Sequence, residues 1–311
     1  MKLAYDRAGT GPALVLLHPL GADRHVWEPV VPMLAAQRTV VAIDLPGFGR
    51  TPPLTGVTPT PAALAQAVAD GLAALDLPHG GDGRVHVAGN SLGGWVALEL
   101  ALRGAAASVT AIAPAGLWSN PLLPKASLGH LLARALEPVA SAAAATGAGR
   151  RALLTGSIVH PERMTARQAR RLLRAYARAP GFVAVNNAMR ARQFAGLERI
   201  TVPVTLVWPD RDRLVRRPAS LPENVHDVEL RDAGHVPMWD APERLAQILR
   251  ETSAEPPTGR PASSSVAGSG RGGRRPGVAR PQAEGPGETD DQAHAGGDQQ
   301  RVVDDIGGER A

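Results

Sequence analysis

The sequence predicts an α/β fold: a mostly parallel, doubly wound sheet with an inserted helical lid and a disordered C-terminal tail. Two observations indicate it. Through residue 254, short continuous apolar runs alternate with longer segments of helical character, which is typical of parallel strands covered by helices on both faces. The last 57 residues lose that pattern, with twelve glycines, six prolines and no aromatic residue. They cannot bury enough apolar surface to offset the entropy of ordering their backbone.

Each element follows from a local signal. A helix is expected from Pro61 to about residue 75, because Thr60 can cap it and proline suits its first position. Strands are expected at 13–17, 39–43, 84–88, 108–113, 202–208 and 226–230, and further helices at 92–102 and 241–251.

The segment 117–195 interrupts the alternation of strands and helices, because it has helical patterns and no convincing strand. We therefore expect residues 1–116 and 196–254 to form the core, 117–195 a lid, and 255–311 the disordered tail. The lid carries a run of arginines near helical spacing, which is either a solvated helix face or a means of attracting anionic substrates or a membrane surface. The run comprises Arg163, Arg167, Arg170, Arg171, Arg174 and Arg178.

Composition excludes several classes of function. The 311 residues include no cysteine, which excludes disulfide scaffolds, thiolate metal sites and a cysteine nucleophile. The net charge is +5, but no nucleic-acid-binding module is recognisable and we expect no nucleic-acid partner. The longest uncharged stretch, 104–124, contains three prolines and does not read as a membrane span. With no signal peptide recognisable at the N-terminus, a cytoplasmic location is expected.

The segment Gly89-Asn90-Ser91-Leu92-Gly93-Gly94 lies between a predicted strand and a predicted helix. A sharp strand–turn–helix junction exposes a serine hydroxyl, and small residues on either side relieve crowding at the turn. The alternative is that Ser91 merely caps the helix. The Leu92 N–H, at the helix start, points to where an oxyanion would form.

Three further loops follow predicted strands. His18-Pro19-Leu20-Gly21 can complete an oxyanion hole, with Leu20 as donor because proline has no N–H. An aspartate in Trp208–Val215, either Asp210 or Asp212, can orient a histidine, and His235 lies in the following loop. The order serine, aspartate, histidine is the one expected of this sheet topology.

These motifs resemble the α/β-hydrolase superfamily over about residues 3–252. The four matching segments are His18–Gly21, Asp44–Arg50, Gly89–Gly94 and the stretch from Gly234, which carries Asp240 where glutamate is common. The resemblance selects Asp212 as the acid, because Pro209 and Arg216 stand at the flanking Gly and Pro of the family pattern. Asp44 is expected to fix the turn that follows it. Members of the family usually have a longer first hairpin than the residues 3–5 available here, which implies that either the first strand is absent or the assigned start is late.

The resemblance implies a serine hydrolase that cleaves a carboxylic ester, with Ser91, Asp212 and His235 as the triad and Leu20 and Leu92 as the oxyanion hole. Epoxide and haloalkane hydrolases of this fold use aspartate as nucleophile and are disfavoured. The Gly-Asn-Ser elbow is also similar to that of C–C bond hydrolases acting on acidic ring-fission products. By analogy of fold, lipase, peptidase and cofactor-free perhydrolase activities are further alternatives. A non-enzymatic receptor or scaffold is disfavoured because all three triad residues are present.

The substrate is expected to be a small molecule with an apolar, medium-sized acyl group. Candidate lining residues beyond the oxyanion pair are Trp118, Val236 and Met238. No cofactor is implied, and no metal site is expected because too few histidines cluster with carboxylates. His18 is expected to brace the oxyanion loop, while the other non-catalytic histidines are interpreted as surface or packing residues.

Overall fold

The computed structural model describes residues 1–78, 84–123 and 128–254, so the expected tail at 255–311 lies outside the described residues. Within them, seven strands form one sheet. The strands are β1 (Tyr5–Ala8), β2 (Ala13–Leu17), β3 (Thr39–Ile43), β4 (Val85–Asn90), β5 (Ala106–Ile112), β6 (Val204–Pro209) and β7 (Val225–Leu230). Their order across the sheet is β1-β3-β2-β4-β5-β6-β7. Only β1 is antiparallel to its neighbour, which confirms the predicted mostly parallel sheet.

Helices cover both faces of the sheet. Along β2, Val15 and Leu17 pack into an apolar cluster with the second and third helices, while Leu14 and Leu16 pack into a second cluster with the first and the last. This alternation explains why the strand had to be apolar throughout. The helices are α1 (Val31–Ala35), α2 (Pro61–Ala73), α3 (Leu92–Leu102), α4 (Leu128–Ala143), α5 (Gly147–Leu154), α6 (Ala166–Arg178), α7 (Phe182–Arg190) and α8 (Pro242–Thr252).

Local signals placed most boundaries within two residues. Thr60 caps α2 by accepting from the Ala63 N–H at 3.1 Å, as predicted. Strand β6 begins at Val204 rather than at residue 202, because Pro203 has no N–H to donate to a neighbouring strand. The first strand, which the sequence left open, is the four-residue edge strand β1.

Between β5 and β6 the described residues contain helices α4 to α7 and no strand. Helix α6 packs against α4. The start of α7 reaches the core through Gly181, whose N–H donates to the carbonyl of Gly47 at 2.9 Å. None of the described helices has the length and apolar character needed to cross a bilayer.

Candidate active site

Ser91 lies at the junction of β4 and α3, in a sharp turn where its backbone has an unusual conformation. Its φ is 56° and its ψ is −113°, a left-handed conformation uncommon for a residue with a side chain. Its N–H donates to the carbonyl of Ile112, and its carbonyl accepts from Trp95 and Ala115. The side chain makes no helix-capping bond, so the conformation is not that of an ordinary capping serine.

The glycines flanking Ser91 are required by close backbone contacts. A Cβ on Gly89 would lie 2.1 Å from the carbonyl oxygen of Gly93. A Cβ on Gly93 would lie 2.2 Å from the carbonyl oxygen of Leu17 and 2.8 Å from that of His18. The second pair of contacts shows that the end of β2 abuts the start of α3. The loop that begins at His18 therefore starts beside the Ser91 turn.

Asp212 and His235 are in direct contact. The Asp212 Oδ2 lies 2.7 Å from the His235 Nδ1, and both side chains are almost fully buried. Oδ1 of the same carboxylate accepts from the N–H groups of Leu214 at 2.7 Å and Val215 at 3.1 Å. A carboxylate held by two backbone donors presents its remaining oxygen in a fixed direction, which fixes the imidazole plane.

The competing acid, Asp210, has a different contact. It is exposed, and its Oδ1 accepts from the N–H of Ala233 at 3.2 Å. It therefore supports the backbone two residues before His235 rather than the imidazole itself.

Ser91 and His235 line the same cavity but their side chains share no hydrogen bond here. Bonds of this kind often tighten only once substrate is bound. With Nδ1 occupied by Asp212, Nε2 is the ring nitrogen that remains for Ser91. The structure thus places Asp212 and His235 in direct contact and brings Ser91 into the cavity that His235 lines.

The loop that carries Leu20 is braced by His18, as expected. The fully buried His18 ring has Nδ1 2.8 Å from the carbonyl oxygen of Pro19 and accepts the Leu45 N–H at Nε2, 2.9 Å away. Burial is the main cause that lowers the pKa of His18 below its ordinary value of 6.5. A neutral ring fits these two bonds, since one nitrogen donates and the other accepts.

Asp44 holds the neighbouring turn. The buried carboxylate accepts from the backbone N–H groups of Arg24 and Arg50, both at 2.8 Å, and pairs with the Arg24 guanidinium. Gly49 lies so close that a Cβ there would sit 2.2 Å from this carboxylate. Asp44 therefore has the local structural role that the sequence predicted.

The cavity over Ser91 has a volume of about 380 Å³. Leu20 and Trp118 line it, as expected, and most of its remaining wall comes from the helices between β5 and β6. The sequence missed these residues because lid helices carry no fixed motif spacing. They include Gly129, His130, Tyr176, Phe182, Met189 and Arg190.

Val236 and Met238 are placed differently from the prediction. Neither is among the residues that line the cavity. Their side chains are buried in the apolar cluster that contains Leu245 and Ile248 of α8. After His235 the loop turns its apolar side chains into the core, which removes both from the candidate substrate contacts. Leu92 is also fully buried, and only its backbone N–H remains a candidate.

Two polar side chains hold the loop that carries His235. The Asn90 amide donates to the His235 carbonyl at 3.0 Å and to that of Ile112 at 3.1 Å. The buried Asp240 carboxylate accepts from Gly234 at 2.8 Å, and from Val159 and His160 in the segment after α5. Asp240 therefore ties the His235 loop to the helical insertion, a role that its position alone did not reveal.

The polar groups of the cavity wall are positive or neutral. Arg190 donates from Nε to the carbonyl of Leu123 at 2.8 Å, and no carboxylate among the described residues pairs with it. His130 stacks on Phe182 at 4.5 Å, and its buried Nδ1 has no hydrogen-bond partner. Burial, with the nearby Arg134 charge, lowers the pKa of His130.

Comparison with known proteins places the chain among hydrolases. A family model described as the alpha/beta hydrolase family matches residues 14–248. An epoxide hydrolase from Mycobacterium tuberculosis, EphH, is 33% identical over 181 residues, covering 53% of this chain and 83% of the relative. A pimeloyl-[acyl-carrier protein] methyl ester esterase from Aeromonas hydrophila is 42% identical over 102 residues, 33% of this chain. That match spans only 37% of the esterase.

Among solved structures, a bacterial membrane phospholipase A aligns with a TM-score of 0.62 and 30% identity, over 80% of this chain and 81% of that one. An enol-lactonase from Burkholderia xenovorans aligns with a TM-score of 0.62 at 21% identity, over 80% of this chain and 95% of that one. At that identity the second likeness concerns the fold alone.

Proposed function

The chain belongs to the alpha/beta hydrolase family, and from that premise we propose that it is a serine hydrolase cleaving carboxylic esters of an apolar, medium-sized acyl group. The observation that carries the proposal is the 2.7 Å contact between Asp212 and His235, together with the cavity that His235 and Ser91 both line. A nucleophile, a base and a group that orients the base are the three parts of covalent acyl transfer.

In the proposed mechanism the Ser91 hydroxyl attacks the ester carbonyl while His235 Nε2 takes its proton. Asp212 holds the ring in the tautomer that leaves Nε2 free and stabilises the imidazolium that forms. The N–H groups of Leu20 and Leu92 bind the developing oxyanion. His235 then protonates the departing alkoxide. In the second half of the reaction a water molecule attacks the acyl-enzyme while His235 takes its proton, and His235 returns that proton to the Ser91 oxygen as the acid is released.

The residues around Ser91 support an apolar acyl group. Leu20, Trp118, Phe182, Met189 and Val215 all line the cavity, and its volume of about 380 Å³ falls within the ordinary range for small-molecule sites. Helices α4 to α7 supply much of this wall, which supports reading residues 117–195 as a lid over the core.

A second candidate is C–C bond hydrolysis of acidic ring-fission products. Arg190 favours it, because this guanidinium lines the cavity with no carboxylate of the described residues to neutralise it. An anionic substrate would supply that partner. Epoxide hydrolysis, the activity in the name of the mycobacterial relative, is less well supported. Ser91 stands where such enzymes carry a nucleophilic aspartate.

A substrate panel tests the choice. Purified protein is assayed on p-nitrophenyl esters of increasing acyl length and on a dienoic ring-fission substrate. We expect turnover of the esters with a maximum at medium length, because the cavity limits longer chains. Activity on the dienoate alone would reverse the ranking, and turnover of an epoxide without any ester would overturn both candidates.

A further inference from the structure

Helix α4 exposes its apolar side. Five large aliphatic side chains along it are between 51% and 68% exposed. They recur at the three- and four-residue spacing that places them on one face. Over the whole helix, Arg134 is the one charged side chain that is exposed. The five aliphatic residues, called here the α4 stripe, are Leu128, Leu131, Leu132, Leu136 and Val139.

The opposite face of α4, which is buried, is polar. His130, Glu137 and Ser141 are the buried residues of this helix. Glu137 accepts from Ser141 at 2.7 Å and from Arg178 of α6 at 2.8 Å. Arg170 of α6 donates to the Ser141 carbonyl at 2.8 Å. These bonds anchor the polar face inward, so the α4 stripe cannot turn into the core. Contiguous exposed apolar surface of this kind marks an interaction site.

The segment around the stripe is strongly basic. Residues 128–190 contain ten arginines, no lysine and two acidic residues. Of the two acidic residues, Glu137 is already paired with α6. The exposed arginines Arg167, Arg170, Arg174 and Arg178 lie on α6, which packs against α4. Arg174 and Arg178 remain 57% and 64% exposed although both pair with Glu137. An apolar stripe on a helix whose packed neighbour carries exposed positive charge complements a surface that is both apolar and negatively charged.

From these observations we infer that the α4 stripe docks on an anionic phospholipid bilayer, with the stripe among the acyl chains and the exposed arginines of α6 at the phosphates. This is the pattern of a helix lying in the membrane interface. Gly129 and His130, in the first turn of α4, line the cavity that contains Ser91. Docking would therefore hold against the lipid a helix that forms part of the cavity wall.

Other occupants fit less well. Residues 255–311 contain only five large aliphatic side chains, too few to cover the stripe. Two copies meeting through α4 would bring two strongly positive segments together, which is unfavourable. A protein partner is usually bound through tryptophan, tyrosine or arginine anchors, whereas the stripe consists of leucine and valine alone.

Vesicle co-sedimentation of the full-length chain tests the inference. Vesicles of phosphatidylcholine are compared with vesicles containing about 30% phosphatidylglycerol. The variant is Leu132→Gln with Leu136→Gln, which removes apolar contact without changing charge. The matched control is Val57→Gln with Leu153→Gln, two residues that are 57% and 40% exposed outside α4.

We expect the wild type and the control to bind the anionic vesicles, and the α4 variant to bind at least about tenfold more weakly. Binding should weaken as salt is raised. All three proteins should hydrolyse a soluble ester equally, because neither substituted leucine lines the cavity. Equal vesicle binding by the variant would overturn the inference, as would a wild type that binds neither vesicle. A wild-type dimer that the α4 variant makes monomeric, without vesicle binding, would assign the stripe to a second copy.

Discussion

Replacing Asp240 with asparagine should destabilise the protein far more than the loss of one surface charge. The carboxylate is 5% exposed and accepts three backbone N–H groups. Oδ1 takes His160 at 2.8 Å, Oδ2 takes Gly234 at 2.8 Å, and both lie 3.0 Å from the N of Val159. An asparagine has the same shape but only one oxygen. In either orientation its NH₂ group faces a backbone N–H that has lost its acceptor.

The expected magnitude follows from these bonds. A hydrogen bond to a charged group contributes about 1.5–3 kcal/mol, and a buried donor left unpaired costs about 1–3 kcal/mol. We therefore expect Asp240→Asn to lower the free energy of unfolding by about 3 kcal/mol. With a urea dependence of about 3 kcal/mol per molar, the midpoint should fall by about 1 M.

Urea unfolding followed by circular dichroism measures this shift. The matched control is Asp70→Asn, an exposed carboxylate that accepts from Gln66 at 2.8 Å. An amide oxygen can keep that bond, so its midpoint should move by less than about 0.2 M. If both variants shift the midpoint equally, the proposed tie between the His235 loop and the helical insertion carries no stability and the reasoning fails.

Three other outcomes follow from the same contacts. Asp212→Asn should lower ester turnover by about 10⁴-fold because it favours the wrong imidazole tautomer, whereas Asp210→Asn should keep most activity. If Asp210→Asn caused the larger loss, Asp210 and not Asp212 would be the acid of the triad. Gly93→Ala would place a methyl carbon 2.2 Å from a carbonyl oxygen, so the thermal midpoint should fall by about 5 °C or more. Gly156→Ala, with nothing within 4 Å, should leave it unchanged, and equal midpoints would show that the close contact is relieved without cost. Burial lowers the pKa of His18 in the folded protein, so below about pH 6.5 the unfolded chain binds more protons than the folded one. The contribution of His18 to the free energy of unfolding is therefore complete above that pH and falls as the pH drops towards the folded pKa. The loss of urea midpoint between about pH 7.5 and about pH 5.5 should be smaller in His18→Gln, and an equal loss would assign the pH dependence to other groups.

The sheet could be predicted because its signals are local. A strand buried on both faces must be almost wholly apolar, as β2 is throughout and β3 is after Thr39, and the Ser91 turn needs glycine at fixed neighbouring positions. The α3 boundaries agree with the prediction at both ends, 92 and 102. These features depend on a few adjacent residues, so one sequence suffices to find them.

The cavity wall could not be predicted because it depends on packing between distant segments. Nothing near His130 or Arg190 in the sequence indicates that both line the cavity that contains Ser91. Asp240 likewise reveals its contacts with residues 159 and 160 only once the helical insertion is folded. Val236 and Met238 were expected to line the cavity because they follow His235, but they do not. Proximity in sequence does not fix the direction in which a side chain points.

The most direct test of the central claim is covalent labelling of Ser91 by a fluorophosphonate, with the modified residue located by mass spectrometry. We expect a single label on the wild type, no label on Ser91→Ala, and full labelling of Ser157→Ala, whose hydroxyl belongs to another serine of the same cavity wall. A label that persists in Ser91→Ala, or a wild type that stays unlabelled even at alkaline pH, would contradict the assignment of Ser91 as the nucleophile.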